Sequence, residues 1–259
     1  MSMSAGPPRA ATFAAALERL LRGDATRPLV TFYDDATGER VELSVATYAN
    51  WVAKTAGLAQ DELDLERGGQ VLLDLPTHWL GAVWLGAAWT LGATVTDDLS
   101  TAGSIDLVVC GPDRVTDHAR NRPRAPVVAV SLRPLGGRFL EPLPATVTDY
   151  GSVVLAQPDV FVAGDPPKPV DPAWLAPSSS GVAVSQADLL AEAAGSSVVA
   201  PGGRLLTDVN PIGRSGAATL LAPMLLDGST VWVRRPDEAR WAARAEQEHA
   251  TDQLRAASA

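Results

Sequence analysis

The chain has 259 residues, 46% hydrophobic and 20% charged, which suits one large α/β domain or two modest ones and excludes wholesale disorder. With 21 basic and 30 acidic residues the formal charge is −9, so phosphate backbones and anionic lipid are repelled, and nucleic acid and membrane surfaces are poor partners. The lone Cys110 cannot make an internal disulfide or a zinc site by itself; it reads as a small buried core residue and fits a reducing cytoplasm.

Residues 1–11 carry Pro7, Pro8 and Arg9 and no long apolar run, so they read as a flexible N-terminus and not as a signal peptide. Residues 12–22 follow as an amphipathic helix with Phe13, Leu17, Leu20 and Leu21 on one face. Leu29–Tyr33 and Arg40–Leu43 read as a hairpin around the turn formers Asp34 to Gly38. A helix over Val45–Asp61 places Tyr48, Trp51, Val52, Thr55 and Leu58 toward a core.

After Gly68-Gly69, the run Gln70–Leu75 stopped by Pro76 reads as a buried strand. Thr77 is the expected cap of a helix that has no charged residue through Ala93, with Gly92 near its end and a strand over Ala93–Thr96. That stretch is short for a membrane span and reads as a helix buried between layers. Ile105–Cys110 and Pro126–Ser131 are two more buried strands, separated by the polar stretch Asp113–Arg124. Strand, helix and strand in succession predict a parallel sheet flanked by helices.

Residues 134–172 are rich in proline and glycine and are expected to wrap the surface, with a short helix or strand near Asp149–Ala156. Helices are expected over Gln186–Ala194 and Ala217–Leu226, and strands over Arg204–Val209 and Thr230–Arg234. A mostly polar helix over Asp237–Ala256, opened by Pro236, closes the pattern. No internal repeat is present.

The order of these elements resembles the N-terminal domain of the acyl-adenylate-forming synthetases. Three segments carry the resemblance: Leu43–Tyr48 through Gly92-Ala93, Gly181-Val182-Ala183-Val184-Ser185-Gln186-Ala187-Asp188-Leu189-Leu190, and Leu205–Val231. The chain is more similar still to a family of short actinobacterial proteins related to those enzymes. The resemblance implies a layered α/β fold with a mostly parallel sheet. It also implies a single truncated synthetase-like domain over 12–259, with sub-lobes 12–133 and 173–259 joined by the Pro/Gly-rich stretch. ATP or AMP are its implied cofactors and a small acyl or nucleotide compound its implied ligand.

The departures bear on chemistry. An adenylating enzyme cradles phosphates in a Ser/Thr/Gly loop whose lysine adds positive charge. The matching stretch here, Ala176-Pro177-Ser178-Ser179-Ser180-Gly181, is shorter and has no basic residue; it can cap a helix or hold a small anion. The family's strand-opening Asp is Gly69, and its pocket histidine is absent from Asn210-Pro211-Ile212-Gly213-Arg214-Ser215-Gly216. Only Lys54 and Lys168 occur in the chain, neither at a catalytic position of the family. The family's adenine, ribose and magnesium contacts and its mobile C-terminal domain lie beyond the last matched segment.

His78, His118 and His249 are isolated and show no metal-ligand spacing; His78 reads as a structural or rim residue and His249 as part of a solvated face. Gly213-Arg214-Ser215-Gly216 is not a nucleophile elbow, though Arg214 before an apolar helix is placed either to bind an anion or to sit on a surface turn. No catalytic residue and no metal ligand is assigned. The tentative cofactor-binding set is Ser178, Ser179, Ser180, Gly181, Asn210 and Arg214. The expected function is a catalytically degenerate binding or regulatory domain, the alternatives being a ligase half completed by a partner chain and an enzyme of different chemistry on the same scaffold. A protein partner or a homodimer is the expected assembly.

Overall fold

A computed structural model describes residues 10–100, 105–121, 124–175 and 183–257. Thr12 accepts a hydrogen bond from the Ala15 N–H and so opens α1 (Phe13–Leu21), which buries Phe13, Ala16, Leu17 and Leu20. Leu21, expected on that face, is instead 40% exposed. The hairpin forms as β1 (Pro28–Asp34) and β2 (Glu39–Ser44), antiparallel. Its turn closes on Gly38, at φ +76°, whose N–H donates to Asp34 O at 2.8 Å. Ser44 then caps α2 (Val45–Asp61) through the Thr47 N–H.

The next unit runs β3 (Gln70–Asp74), α3 (Trp79–Leu91) and β4 (Thr94–Thr96). The cap of α3 is His78 and not Thr77: the Leu80 N–H donates to His78 Nδ1 at 3.2 Å. The helix ends on Gly92 in the left-handed region at φ +77°. Every α3 residue but Thr90 is buried, because α1, α2, β1 and β4 all pack on it. Burial between layers therefore accounts for its lack of charge. Among the described residues no helix is long and apolar enough to cross a membrane.

The chain continues through β5 (Leu107–Cys110), α4 (Val115–Asn121), β6 (Val127–Ala129), β7 (Val147–Asp149) and α5 (Tyr150–Val153). Then come β8 (Pro172–Leu175), β9 (Ala183–Ser185), α6 (Gln186–Gly195), β10 (Arg204–Thr207), α7 (Ala218–Leu225), β11 (Ser229–Arg234), α8 (Glu238–Gln247) and β12 (Asp252–Leu254). Two sheets result, β12-β10-β11-β1-β2 and β7-β6-β5-β3-β4-β8-β9. Pairing is parallel except at β1–β2 and β8–β9. Both sheets draw strands from residues 12–133 and from 173–259.

The last element corrects the sequence reading, since the helix expected to reach Ala256 stops at Gln247. His249 turns into the left-handed region at φ +51°, and the Ala250 N–H donates back to Ala245 O at 2.9 Å, ending the helix as a left-handed cap does. The buried Glu248 accepts hydrogen bonds from Tyr33, Arg40 and Arg204, which fixes the turn against the first sheet. The chain then adds β12 in parallel to β10.

Candidate functional site

In open parallel sheets, ligands bind in the crevice outside the carboxyl ends of the strands. Here the carboxyl ends of the two sheets meet. The Asn210 side chain, just after β10, donates from Nδ2 to Leu75 O, just after β3, at 2.9 Å. The Ile212 N–H closes the loop by donating to Asn210 Oδ1 at 3.0 Å. Between the two sheets lies a cavity of about 320 Å³, lined by Asp74, Leu75, Gly111, Arg114, Leu132 and Arg234 among others.

Its charged groups are joined to one another. Asp74, the last residue of β3, accepts from His118 Nε2 at 2.7 Å and from Arg114 Nε at 2.8 Å. The His118 hydrogen bond, with Arg114 adding charge, holds the Asp74 carboxyl below the ordinary carboxylate value. Arg114 is also paired with Asp117 at 3.1 Å. On the first sheet, Asp34 at the end of β1 accepts from Arg235 Nε at 3.0 Å and lies 3.8 Å from Arg234.

His78 sits under this crevice, packed on Phe32 with ring centroids 4.7 Å apart. Burial, with the charge of Arg234 adding to it, pushes its imidazole down to about 3, so it is neutral. Because Nδ1 accepts from Leu80, the proton is on Nε2, which is buried with no hydrogen-bond partner among the described residues. Cys110 is fully buried, and burial first, then the nearby Asp74 carboxylate, pushes its thiol up to about 12. Among the described residues no group of three His, Cys, Asp or Glu side chains is placed to hold a metal ion.

An acyl-CoA synthetase of Brucella canis superposes on 94% of this chain with a TM-score of 0.77 at 17% identity. The fold is that of the acyl-CoA synthetases. The R395G form of coronafacic acid ligase from Pectobacterium brasiliense also superposes on 94% of the chain, with a TM-score of 0.76 at 10% identity. The chain spans 47% and 50% of these two proteins. By sequence it is 41% identical over 160 residues to a Mycobacterium tuberculosis protein of the TIGR03089 family, a match covering 60% of this chain and 64% of the relative. No family model matches.

On the synthetase fold, the six residues singled out from sequence fall into three groups. Ser178, Ser179, Ser180 and Gly181 lie outside the described residues, in the segment between β8 and β9. Asn210 lies at the crevice, where its side chain is spent on Leu75 and Ile212. Arg214 lies before α7, and its guanidinium is held by Glu192 of α6. Lys54 is paired with Asp159 at 3.0 Å, and the backbone N–H of Lys168 donates to Asp171 Oδ2 at 2.7 Å.

The cluster of Asp74, Arg114 and His118 was missed from sequence. Its signal was present in part: Asp74 ends an apolar strand, and Arg114 and His118 stand four residues apart at the next helix. Joining them requires the parallel register that sets Asp74 beside Cys110.

Proposed function

We propose that this chain is a ligand-binding protein on the synthetase fold that does not itself adenylate, binding a small acyl or acyl-nucleotide compound in the crevice where the sheets meet. The observation that carries the reading is charge. The arginines at or beside the crevice, Arg114, Arg214, Arg234 and Arg235, each face a carboxylate of the same chain. Of the two lysines of the sequence, Lys54 is paired with Asp159, and Lys168 lies in the proline-rich segment before β8, away from the crevice lining. A triphosphate binds to cations that are free to pair with it, and here it would have to displace carboxylates. An acyl group or a single-phosphate nucleotide makes a smaller demand. Ser178 to Ser180 with Gly181, and the backbone of the loop carrying Asn210 and Arg214, form the proposed ligand contacts, the Asn210 and Arg214 side chains keeping their partners within the chain. A cytoplasmic location accords with the single unpaired thiol.

The test combines two assays on the purified protein. Pyrophosphate exchange into ATP with a panel of carboxylates is expected to stay at background. Thermal shift is expected to rise saturably with acyl-sulfamoyl-adenosines or AMP, more than with ATP, and to lose that response in a Ser178→Ala/Ser179→Ala/Ser180→Ala variant. Carboxylate-dependent exchange by this chain alone would overturn the proposal.

A second reading, a ligase half completed by a partner chain or by a second copy, is favoured by the coverage of about half of each synthetase-like structure. Its signature is exchange that is absent from the chain alone and restored by adding the partner.

A further inference from the structure

A second cavity, of about 560 Å³, lies between α1 and α2 and shares no lining residue with the crevice. Along α2 its wall is Ala46, Ala49, Asn50 and Ala53, and Leu17 of α1 faces them. Its outer side is the segment 159–167, which crosses the surface without regular structure. That segment is tied down at both ends. Lys54 pairs with Asp159 at 3.0 Å and donates to Gln157 O, while Arg67 pairs with Asp165 at 2.7 Å and with Asp171 at 2.6 Å. Between the ties, Phe161 packs on the core while Val160 and Val162 stand 77% and 81% exposed.

We propose that this cavity binds one neutral, apolar small molecule. Its volume falls within the range of small-molecule sites, about 300–1,000 Å³. The polar groups at its wall are largely satisfied within the chain. Asp159 has Lys54, Glu18 lies 3.7 Å from Arg22, and the Thr90 hydroxyl donates to Gly86 O at 2.7 Å. Asn50 alone among the lining polar side chains has no partner in the described residues, so the guest has one hydrogen-bonding group to place. No unpaired cation lines the cavity to hold a carboxylate or phosphate head. An apolar guest covers the methyl and valine surface that the fold leaves in water, which is the gain that drives binding.

The experiment is a fluorescence titration of the whole chain with the neutral probe N-phenyl-1-naphthylamine, followed by displacement with 1-decanol and with decanoate. One saturable site per chain is expected, with decanol displacing the probe at least about tenfold better than decanoate. Ala53→Phe, which fills the cavity from a partly exposed helix position, is expected to weaken the probe about tenfold or more while the protein still melts cooperatively. Ala49→Leu repeats the test from the same helix face should Ala53→Phe fold poorly. Unchanged affinity in the folded filled variants, or binding without saturation, would overturn the proposal. So would equal displacement by decanoate, or a probe response that appears only on dilution because a second copy covers the cavity.

Discussion

Replacing Gly216 by alanine tests whether the crevice loop is set by backbone contact. An ideal Cβ at Gly216 would lie 1.8 Å from Asn210 O and 2.9 Å from Asn210 C. Real Cβ contacts essentially never fall below 3.0 Å, so the carbonyl must retreat by about 1 Å or more. It cannot slide toward α3, because Ile212 already abuts Gly81 there. The retreat therefore costs the hydrogen bonds from Asn210 Nδ2 to Leu75 O and from the Ile212 N–H to Asn210 Oδ1. Two such bonds contribute about 0.5–1.5 kcal/mol each, and overpacking strain adds about 1–3 kcal/mol, for a loss of roughly 2–6 kcal/mol. For a domain of this size that lowers Tm by roughly 4–24 °C. Gly195→Ala is the control, since nothing lies within 4 Å of its Cβ and its backbone is outside the left-handed region. Calorimetric melting of both variants decides the matter. If Gly216→Ala melts with Gly195→Ala, the loop is soft and the contact argument is refuted.

The Asp74 carboxyl is held low in the fold, so its contribution to stability is complete above pH 3.8 and is lost as pH falls through its lower folded value. His118→Phe removes the donor and is expected to cost about 1.5–3 kcal/mol near neutrality. Urea unfolding across pH should show the gap from wild type closing below pH 3.8. His78 has the opposite charge sense. Buried neutral, it leaves the unfolded chain binding the extra proton, so stability falls as pH drops from 6.5 toward about 3. By the lower end this amounts to roughly 4–5 kcal/mol, and His78→Asn, whose Oδ1 supplies a capping acceptor in place of Nδ1, should flatten stability over that window. Cys110, buried with its thiol pushed up to about 12, should stay unmodified by a disulfide reagent in the native protein and react in full in guanidinium; stoichiometric native labelling would refute its burial.

Much of the scaffold was legible because burial leaves period and punctuation in the chain. The bounds of α2 follow from Ser44 and the spacing of Tyr48, Val52 and Thr55, and β3 and β5 are apolar runs bounded by turn residues. The three-residue strands β7, β9 and β12 are too short to show an alternation, β8 opens on Pro172, and β12 is a strand only because it pairs with β10, more than forty residues earlier. The site was less legible than the fold. Asn210 and Arg214 were named as tentative cofactor-binding residues, yet what their side chains do is set by Leu75 and Glu192. His78 read as a structural or rim residue, and its neighbours do not decide between the two, because Phe32, more than forty residues earlier, is what covers it.

That remoteness is also why a fold does not by itself fix an activity. The crossovers that carry the chain from β3 to β5 and from β10 to β11 depend on apolar packing, and the same fold is kept in synthetase-like neighbours at 17% and 10% identity. The charges at the strand ends are free of that constraint. In this chain Asp34, Asp74 and Glu192 stand where they neutralise Arg235, Arg114 and Arg214. Breaking a partly buried pair to admit a polyphosphate leaves an uncompensated carboxylate behind, a cost that for buried pairs reaches about 3–5 kcal/mol. A ligand that leaves those pairs intact meets no such cost, and its affinity rests instead on apolar contact and on the backbone groups of the strand ends.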